Sequence, residues 1–134
     1  MKIGGSKIIL QSPNDKAVVF CAGVTLHEAL KAYEALNFEG ISITIVDLYS
    51  IKPIDMETIK KFSHLPMVVV EYHYPAGGIG EAILSALASS KLKVPRFKHL
   101  CVRNIPHSGS PEENLRYVEI DAPAIVKAVK SITQ

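Results

Sequence analysis

The sequence predicts a three-layer α/β/α fold, and two observations support this prediction. Short runs rich in Val, Ile and Phe alternate with amphipathic segments, which is the pattern of βαβ units. Right-handed crossovers between such units give a mostly parallel sheet with helices on both faces. A length of 134 residues and a hydrophobic content of 48% suffice for one buried core. We therefore expect a single domain over residues 1–134.

Five apolar segments are predicted to be strands. The first is short and ends at the turn-forming cluster 12–15, so we expect it at an edge of the sheet. The others are rich in β-branched or aromatic residues, which favour strands. The five segments are Lys7 to Leu10, Lys16 to Ala22, Ile41 to Leu48, Met67 to Glu71, and Phe97 to Val102.

Helices are predicted between and after these strands. Thr25 and Glu28 have the spacing of a capping box, in which each side chain binds an unpaired backbone N–H of the first turn. Asp55 is predicted to cap a short second helix, and Asp121 to open the last one. The predicted helices run from Thr25 to about Asn37, Asp55 to Phe62, Ile79 to Ala88, Glu112 to Tyr117, and onward from Asp121.

Charge and composition exclude several classes of function. The net charge of +2 comes from 15 basic and 13 acidic residues that are scattered along the chain, so we expect no nucleic-acid partner. The apolar runs are too short to cross a bilayer and no signal peptide is evident, so we expect a cytoplasmic protein without a membrane partner. Cys21 and Cys101 lie in apolar strands without a CxxC motif. They are predicted to be reduced core residues, with a disulfide or zinc site as the alternative.

The loop after the fourth predicted strand is the strongest candidate site. Gly77, Gly78 and Gly80 precede a helix, where exposed N–H groups and the helix dipole favour an anion. The spacing matches neither a Walker loop nor GxGxxG, and Glu81 in the first turn would already occupy the positive field. Two interpretations stay open, a phosphate-binding loop and a structural loop whose glycines permit close packing.

Glu71 and His73 flank this loop. Together they could form a general acid–base pair, because histidine titrates near neutrality and a carboxylate can orient it. No nucleophile or metal ligand stands beside them in the sequence, so hydrogen bonds at a domain interface are the favoured role. We therefore assign no catalytic, cofactor-binding or metal-binding residue to this chain.

Other polar residues near strand ends form no complete site. Ser108 follows His107 but lacks the Gly-x-Ser-x-Gly elbow of a hydrolase nucleophile, and a buried Cys21 should be inert. Asp47 could bind a ribose hydroxyl, but the first strand–helix turn offers only Gly23 where a dinucleotide fold needs three glycines.

Taken in order, several segments resemble the carboxy-terminal domain of transketolases. Their joint order and spacing, which span practically the whole chain, carry the resemblance. The matching segments are Lys2 to Gly4, Ala22 to Ala29, Asp47 to Asp55, Val70-Glu71 with His73, Gly77 to Ala82, Asn104 to Gly109, and Asp121. Related domains end pyruvate dehydrogenase beta subunits and deoxyxylulose-phosphate synthases, and the run Gly-Val-Thr-Leu-His-Glu favours transketolase among them. Two residues depart from the family pattern: Tyr72 replaces an expected aspartate and His107 an expected arginine.

The resemblance implies a five-stranded mixed sheet whose first strand is antiparallel to the rest. It also implies that thiamine diphosphate and a divalent metal, Mg or Ca, are held by two preceding domains of a homodimeric enzyme. Such an enzyme moves a two-carbon ketol unit between sugar phosphates in the pentose phosphate pathway, with the cofactor supplying the chemistry. This chain would then be a non-catalytic, dimer-supporting module. The alternative is a regulatory domain that binds an anion or small molecule at the Gly77–Gly80 loop, near Lys52 and His73.

Overall fold

The computed structural model describes residues 5–49, 54–73, 78–103, 110–117 and 119–133. Within these ranges the strands are β1 (Lys7–Leu10), β2 (Val18–Cys21), β3 (Thr44–Asp47), β4 (Met67–Val70) and β5 (Phe97–Leu100). The helices are α1 (Val24–Phe38), α2 (Met56–Phe62), α3 (Ile79–Ser89), α4 (Pro111–Tyr117) and α5 (Ala122–Thr133). The predicted order of elements is confirmed, although four of the five strands are shorter than predicted, most clearly β3.

The five strands form one mixed sheet in the order β1-β3-β2-β4-β5. β1 pairs with β3 antiparallel, and the remaining neighbours pair parallel. Every residue of β2 and β4 is buried, as continuous apolar strands covered on both faces should be. The predicted edge position of β1 and its antiparallel direction are both confirmed.

Alternate residues of the central strands belong to two separate cores. Val19 packs in a cluster with residues of α1 and α5, whereas Val18 and Phe20 pack in a cluster with residues of α2 and α3. Successive strand side chains point to opposite faces, so each face of the sheet carries its own helical layer. The predicted three-layer α/β/α architecture is confirmed. No helix among the described residues is long and apolar enough to span a membrane.

The predicted capping box at the start of α1 is wrong. The helix begins at Val24 with Gly23 as its N-cap, at a φ of 62° that favours glycine, and no side chain caps it. The Thr25 hydroxyl lies inside the first turn, where it accepts the N–H of Ala22 at 3.0 Å. Glu28 does not cap α1, and its Oε1 accepts the N–H of Ala122 at the start of α5, at 3.0 Å. The spacing of a capping box is present without its contacts because Glu28 caps a neighbouring helix.

The predicted caps of α2 and α5 are confirmed. Asp55 accepts the N–H of Thr58 at 3.2 Å, and Asp121 accepts the N–H of Ala124 at 3.3 Å. The Ser6 hydroxyl also donates to the Asp55 carboxylate at 2.8 Å, which fastens the residue before β1 to the start of α2.

Candidate functional site

The carboxyl end of β4 meets the first turn of α3 through the side chain of Glu71. This side chain is almost completely buried, with 3% of its residue surface exposed. Its Oε1 accepts the N–H of Ile79 at 2.7 Å, and its Oε2 accepts the N–H of Gly80 at 2.9 Å. The carboxylate therefore binds N–H groups that have no partner within the helix, at the positive end of the helix dipole.

A third donor reaches the same carboxylate from the neighbouring strand. The Nε2 atom of His99, in β5, lies 2.5 Å from the Glu71 Oε2. The His99 side chain is itself largely buried, and the Phe97 ring stands edge-on to it at 6.4 Å between centroids. Glu71 thus joins β4, β5 and α3 in one hydrogen-bonded unit.

The electrostatics of this unit keep Glu71 ionised. Burial alone would raise the pKa of the carboxyl group, but hydrogen bonds from His99, Gly80 and Ile79 outweigh burial and hold the pKa below its usual value. A negative charge at this position also stabilises the start of α3.

Gly78 and Gly80 make room for this arrangement. A Cβ atom on Gly80 would lie 2.4 Å from the His99 ring, and one on Gly78 would lie 2.0 Å from the Glu71 Oε1. Both distances are far below van der Waals contact, so any larger residue would force the carboxylate or the imidazole away. The geometry therefore favours the structural interpretation of the glycine loop. Gly77 lies outside the described residues.

An anionic ligand or a metal does not fit the described part of this loop. The N–H groups of Ile79 and Gly80, which a phosphate would need, already bind Glu71. Among the described residues, no group of three or more His, Cys, Asp or Glu side chains could hold a metal ion. An incoming phosphate would have to displace a buried carboxylate, which is costly. Lys52, the predicted cationic neighbour, lies outside the described residues.

Two other predicted site residues lie at the margin of this unit. His73 is exposed, and its backbone carbonyl accepts the N–H of Val102 at 2.8 Å. Glu81 lies in the first turn of α3 and is exposed. The carboxylate that binds the N–H groups at the start of α3 is that of Glu71. His99 was not identified from the sequence. The only sequence signal for it is its position two residues after Phe97 in a predicted strand.

The remaining candidates do not extend the site. Cys21 and Cys101 are free and buried, as predicted. Burial, aided by the charge of Asp47, raises the pKa of the Cys21 thiol to about 12, which makes it a poor nucleophile. His107 and Ser108 lie outside the described residues.

Comparison with known proteins identifies the family. The model of the family described as "Transketolase, C-terminal domain" matches residues 6–125. The chain is 43% identical over 134 residues to transketolase-like protein 1 of Bos taurus, covering 98% of this chain and 22% of that protein. It is 41% identical over 134 residues to transketolase of Homo sapiens, covering 98% of this chain and 21% of that protein. The chain thus spans about a fifth of the length of these curated relatives.

Solved structures agree with this result. A structure described as a split gene transketolase, inactive beta4 tetramer, superposes with a TM-score of 0.86 at 28% identity, covering 99% of this chain and 43% of that one. Transketolase from Leishmania mexicana has the same fold, with a TM-score of 0.67 at 14% identity over 97% of this chain and 18% of that one. The family model, the curated relatives and the fold together show that this chain belongs to the transketolase C-terminal domain family.

Proposed function

We propose that this chain, as a single domain over residues 1–134, is the non-catalytic C-terminal module of a cytoplasmic, thiamine-diphosphate-dependent transketolase. The observation that carries the proposal is the internal use of the glycine loop. The Glu71 carboxylate takes up the N–H groups of Ile79 and Gly80, so the one helix start that resembled an anion site is already filled by the protein itself.

The absence of a metal-binding cluster among the described residues supports a non-catalytic role for this chain. Thiamine diphosphate needs a divalent metal and donors for its two phosphates, and the described residues bring together no cluster of three or more His, Cys, Asp or Glu side chains that could hold a metal ion. The chain covers 21% of the human relative, so the cofactor and the sugar phosphates would be held by other parts of a longer enzyme. In that enzyme the cofactor supplies the carbanion chemistry of ketol transfer. This module would supply a rigid surface for the cofactor-binding domains and support a homodimer.

A regulatory anion-binding role at Gly77–Gly80 is the weaker candidate. It would require the Glu71 carboxylate to give up its three hydrogen bonds, from Ile79, Gly80 and His99. His99 would then lose its carboxylate partner. Because breaking a buried, hydrogen-bonded charge costs several kcal/mol, on the order of 3–5, a phosphate would have to bind with at least that energy before any net affinity remained.

Calorimetry and reconstitution test the module role. The purified chain would be titrated with thiamine diphosphate and Mg²⁺, then assayed for ketol transfer from a ketose phosphate, with an intact transketolase as the positive control. We expect neither heat nor turnover from the folded chain. Adding the cofactor-binding segment of a transketolase that lacks its own C-terminal domain should restore turnover. Binding by the chain alone, or a reconstituted mixture without activity, would contradict the proposal.

A further inference from the structure

We propose that the open edge of β5 binds an extended acidic peptide, which adds to the sheet as a further strand. This inference is independent of the module role and of the glycine loop. It rests on three observations: the backbone groups that β5 turns outward, the clefts that flank them, and the charge of the side chains around those clefts.

The backbone of β5 pairs with β4 on one side and with no strand of the described residues on the other. The carbonyls of Arg96, just before β5, and of Leu100 accept N–H groups from Met67 and Glu71, so the backbone groups of these two residues face β4. Backbone groups of alternate residues point to opposite sides of a strand, so Phe97 and His99 turn their N–H and C=O groups away from β4. The Arg103 side chain already donates to the His99 carbonyl at 3.0 Å, so the outward groups left for a partner strand are the N–H and C=O of Phe97 and the N–H of His99, and an added strand would replace Arg103 at the His99 carbonyl. No strand of the described residues lies beyond β5. Such an edge is a template for strand addition.

The two edges of the sheet differ in this respect. The pairing of β1 with β3 shifts register between Ile8 and Leu10, and irregularities of this kind discourage further pairing at an edge. β5 pairs with β4 in continuous register over all four of its residues. It is therefore the more regular of the two edges, and the outward groups of Phe97 and the N–H of His99 lie in line for a partner strand.

Two clefts border this edge. A cleft of about 480 Å³ runs between β5 and α5, over Leu100, Ala124 and Ala128. A second cleft of about 300 Å³ follows β5 itself from Phe97 to Cys101. An added strand would place alternate side chains over the first cleft, whose volume falls in the usual range for ligand sites.

Charge selects the kind of peptide. The residues lining the two clefts include four basic and two acidic side chains: Lys98, Arg103, Arg116, Lys127, Glu119 and Asp121. None of the four basic side chains is in an ion pair among the described residues, although the Arg103 guanidinium donates a hydrogen bond to the His99 carbonyl. Asp121 is engaged as the cap of α5. A second copy of the same edge would bring like charges together, whereas an acidic segment would complement them.

Solution NMR on the full chain tests the proposal. The probe is a blocked hexapeptide of alternating Glu and Val, titrated into ¹⁵N-labelled protein. We expect chemical-shift changes centred on β5 and the first half of α5, and amide exchange at Phe97 and His99 slowed by at least about tenfold. The charge-reversed variant K98E/K127E should bind at least about tenfold more weakly, whereas the control K60E/K61E on α2 should bind normally.

A second peptide separates strand addition from charge attraction. N-methylation of alternate peptide nitrogens keeps the side chains and removes the pairing N–H groups, so it should abolish binding. Equal binding of the methylated peptide would overturn the proposal, as would unchanged spectra at millimolar peptide. Protection of Phe97 and His99 that appears without peptide and grows with protein concentration would also overturn it, because the occupant would then be a second copy of the chain.

Discussion

The Glu71 carboxylate accepts a hydrogen bond from His99, 28 residues further along the chain, at 2.5 Å. The same carboxylate binds the first N–H groups of α3. One buried charge therefore fixes the relative positions of two strands and a helix at the carboxyl edge of the sheet. Substitutions at Glu71 and its partners should therefore destabilise the fold.

Replacing Glu71 with Gln should destabilise the fold strongly. The amide keeps one acceptor oxygen, but its NH₂ group would face an N–H donor and the charge at the helix start would be lost. Because hydrogen bonds to charged groups contribute about 1.5–3 kcal/mol each, we expect the free energy of unfolding to fall by about 2 kcal/mol or more in urea titrations.

The matched control is Glu81→Gln, in the same first turn but exposed. It should change the free energy of unfolding by no more than about 0.5 kcal/mol. Equal effects of the two substitutions would show that only the charge near the helix start matters, and not the buried contact.

Replacing Gly80 with Ala should also destabilise the fold, because the new Cβ would lie 2.4 Å from the His99 ring. Overpacking of this kind costs about 1–3 kcal/mol. The variant H99A removes the ring, so the double variant G80A/H99A should lose less stability than the sum of the single variants. A double-mutant cycle from thermal or urea unfolding measures this coupling. Strict additivity would mean that the clash is relieved by backbone movement elsewhere.

Apolar periodicity predicted the layers and the strands well because it is a local property of the chain, whereas the antiparallel direction of β1 followed only from the family resemblance. The continuous apolar run of β2 and the apolar stripe of α1 follow directly from neighbouring residues. Contacts between residues that are distant in the sequence could not be predicted from local patterns. Glu28 looked like part of a local capping box, yet it binds α5 some 94 residues away, and Glu71 pairs with a histidine in another strand. Local spacing cannot distinguish a cap within a helix from one across helices.

Acid should weaken the fold partly through Glu71. Its pKa is lower in the folded chain than the usual 4.5, so ionised Glu71 stabilises the fold fully above that value. This stabilisation is lost as the pH falls through the lower, folded-state pKa. The difference in unfolding free energy between wild type and E71Q should therefore shrink as the pH falls from about 5 through the folded-state pKa.

Asp15 is an independent contributor to the same trend. Burial raises its pKa, but hydrogen bonds from Ser12 and Thr44 lower it overall. The variant D15N should remove only its own part of the pH dependence, leaving that of Glu71 in place. A difference between wild type and E71Q that stays constant over this range would contradict the assignment to Glu71.

The cysteines should be unreactive in the folded protein. Cys21 has no exposed surface, and its pKa of about 12 leaves about one thiolate in ten thousand at pH 8. Burial also raises the pKa of Cys101. We expect Ellman's reagent to label neither thiol within minutes in buffer and both thiols in 6 M guanidinium. Rapid labelling of native Cys21 would show that β2 opens on this timescale.

The link between α1 and α5 gives the last test, because it depends on one carboxylate. Glu28 is buried and accepts the N–H of Ala122 at 3.0 Å, where it acts as a cap supplied by another helix. Substitution by Ala should free the first turn of α5 and speed amide exchange at Ala122 and Ala124 by about fivefold or more, in line with a lost cap of about 1 kcal/mol. The variant K31A removes the Lys31–Glu28 ion pair on the exposed side and should leave that exchange nearly unchanged. If K31A accelerated amide exchange in α5 as much as E28A does, Lys31 would be needed to position the Glu28 carboxylate. The cap of α5 would then depend on the Lys31–Glu28 ion pair and not on Glu28 alone.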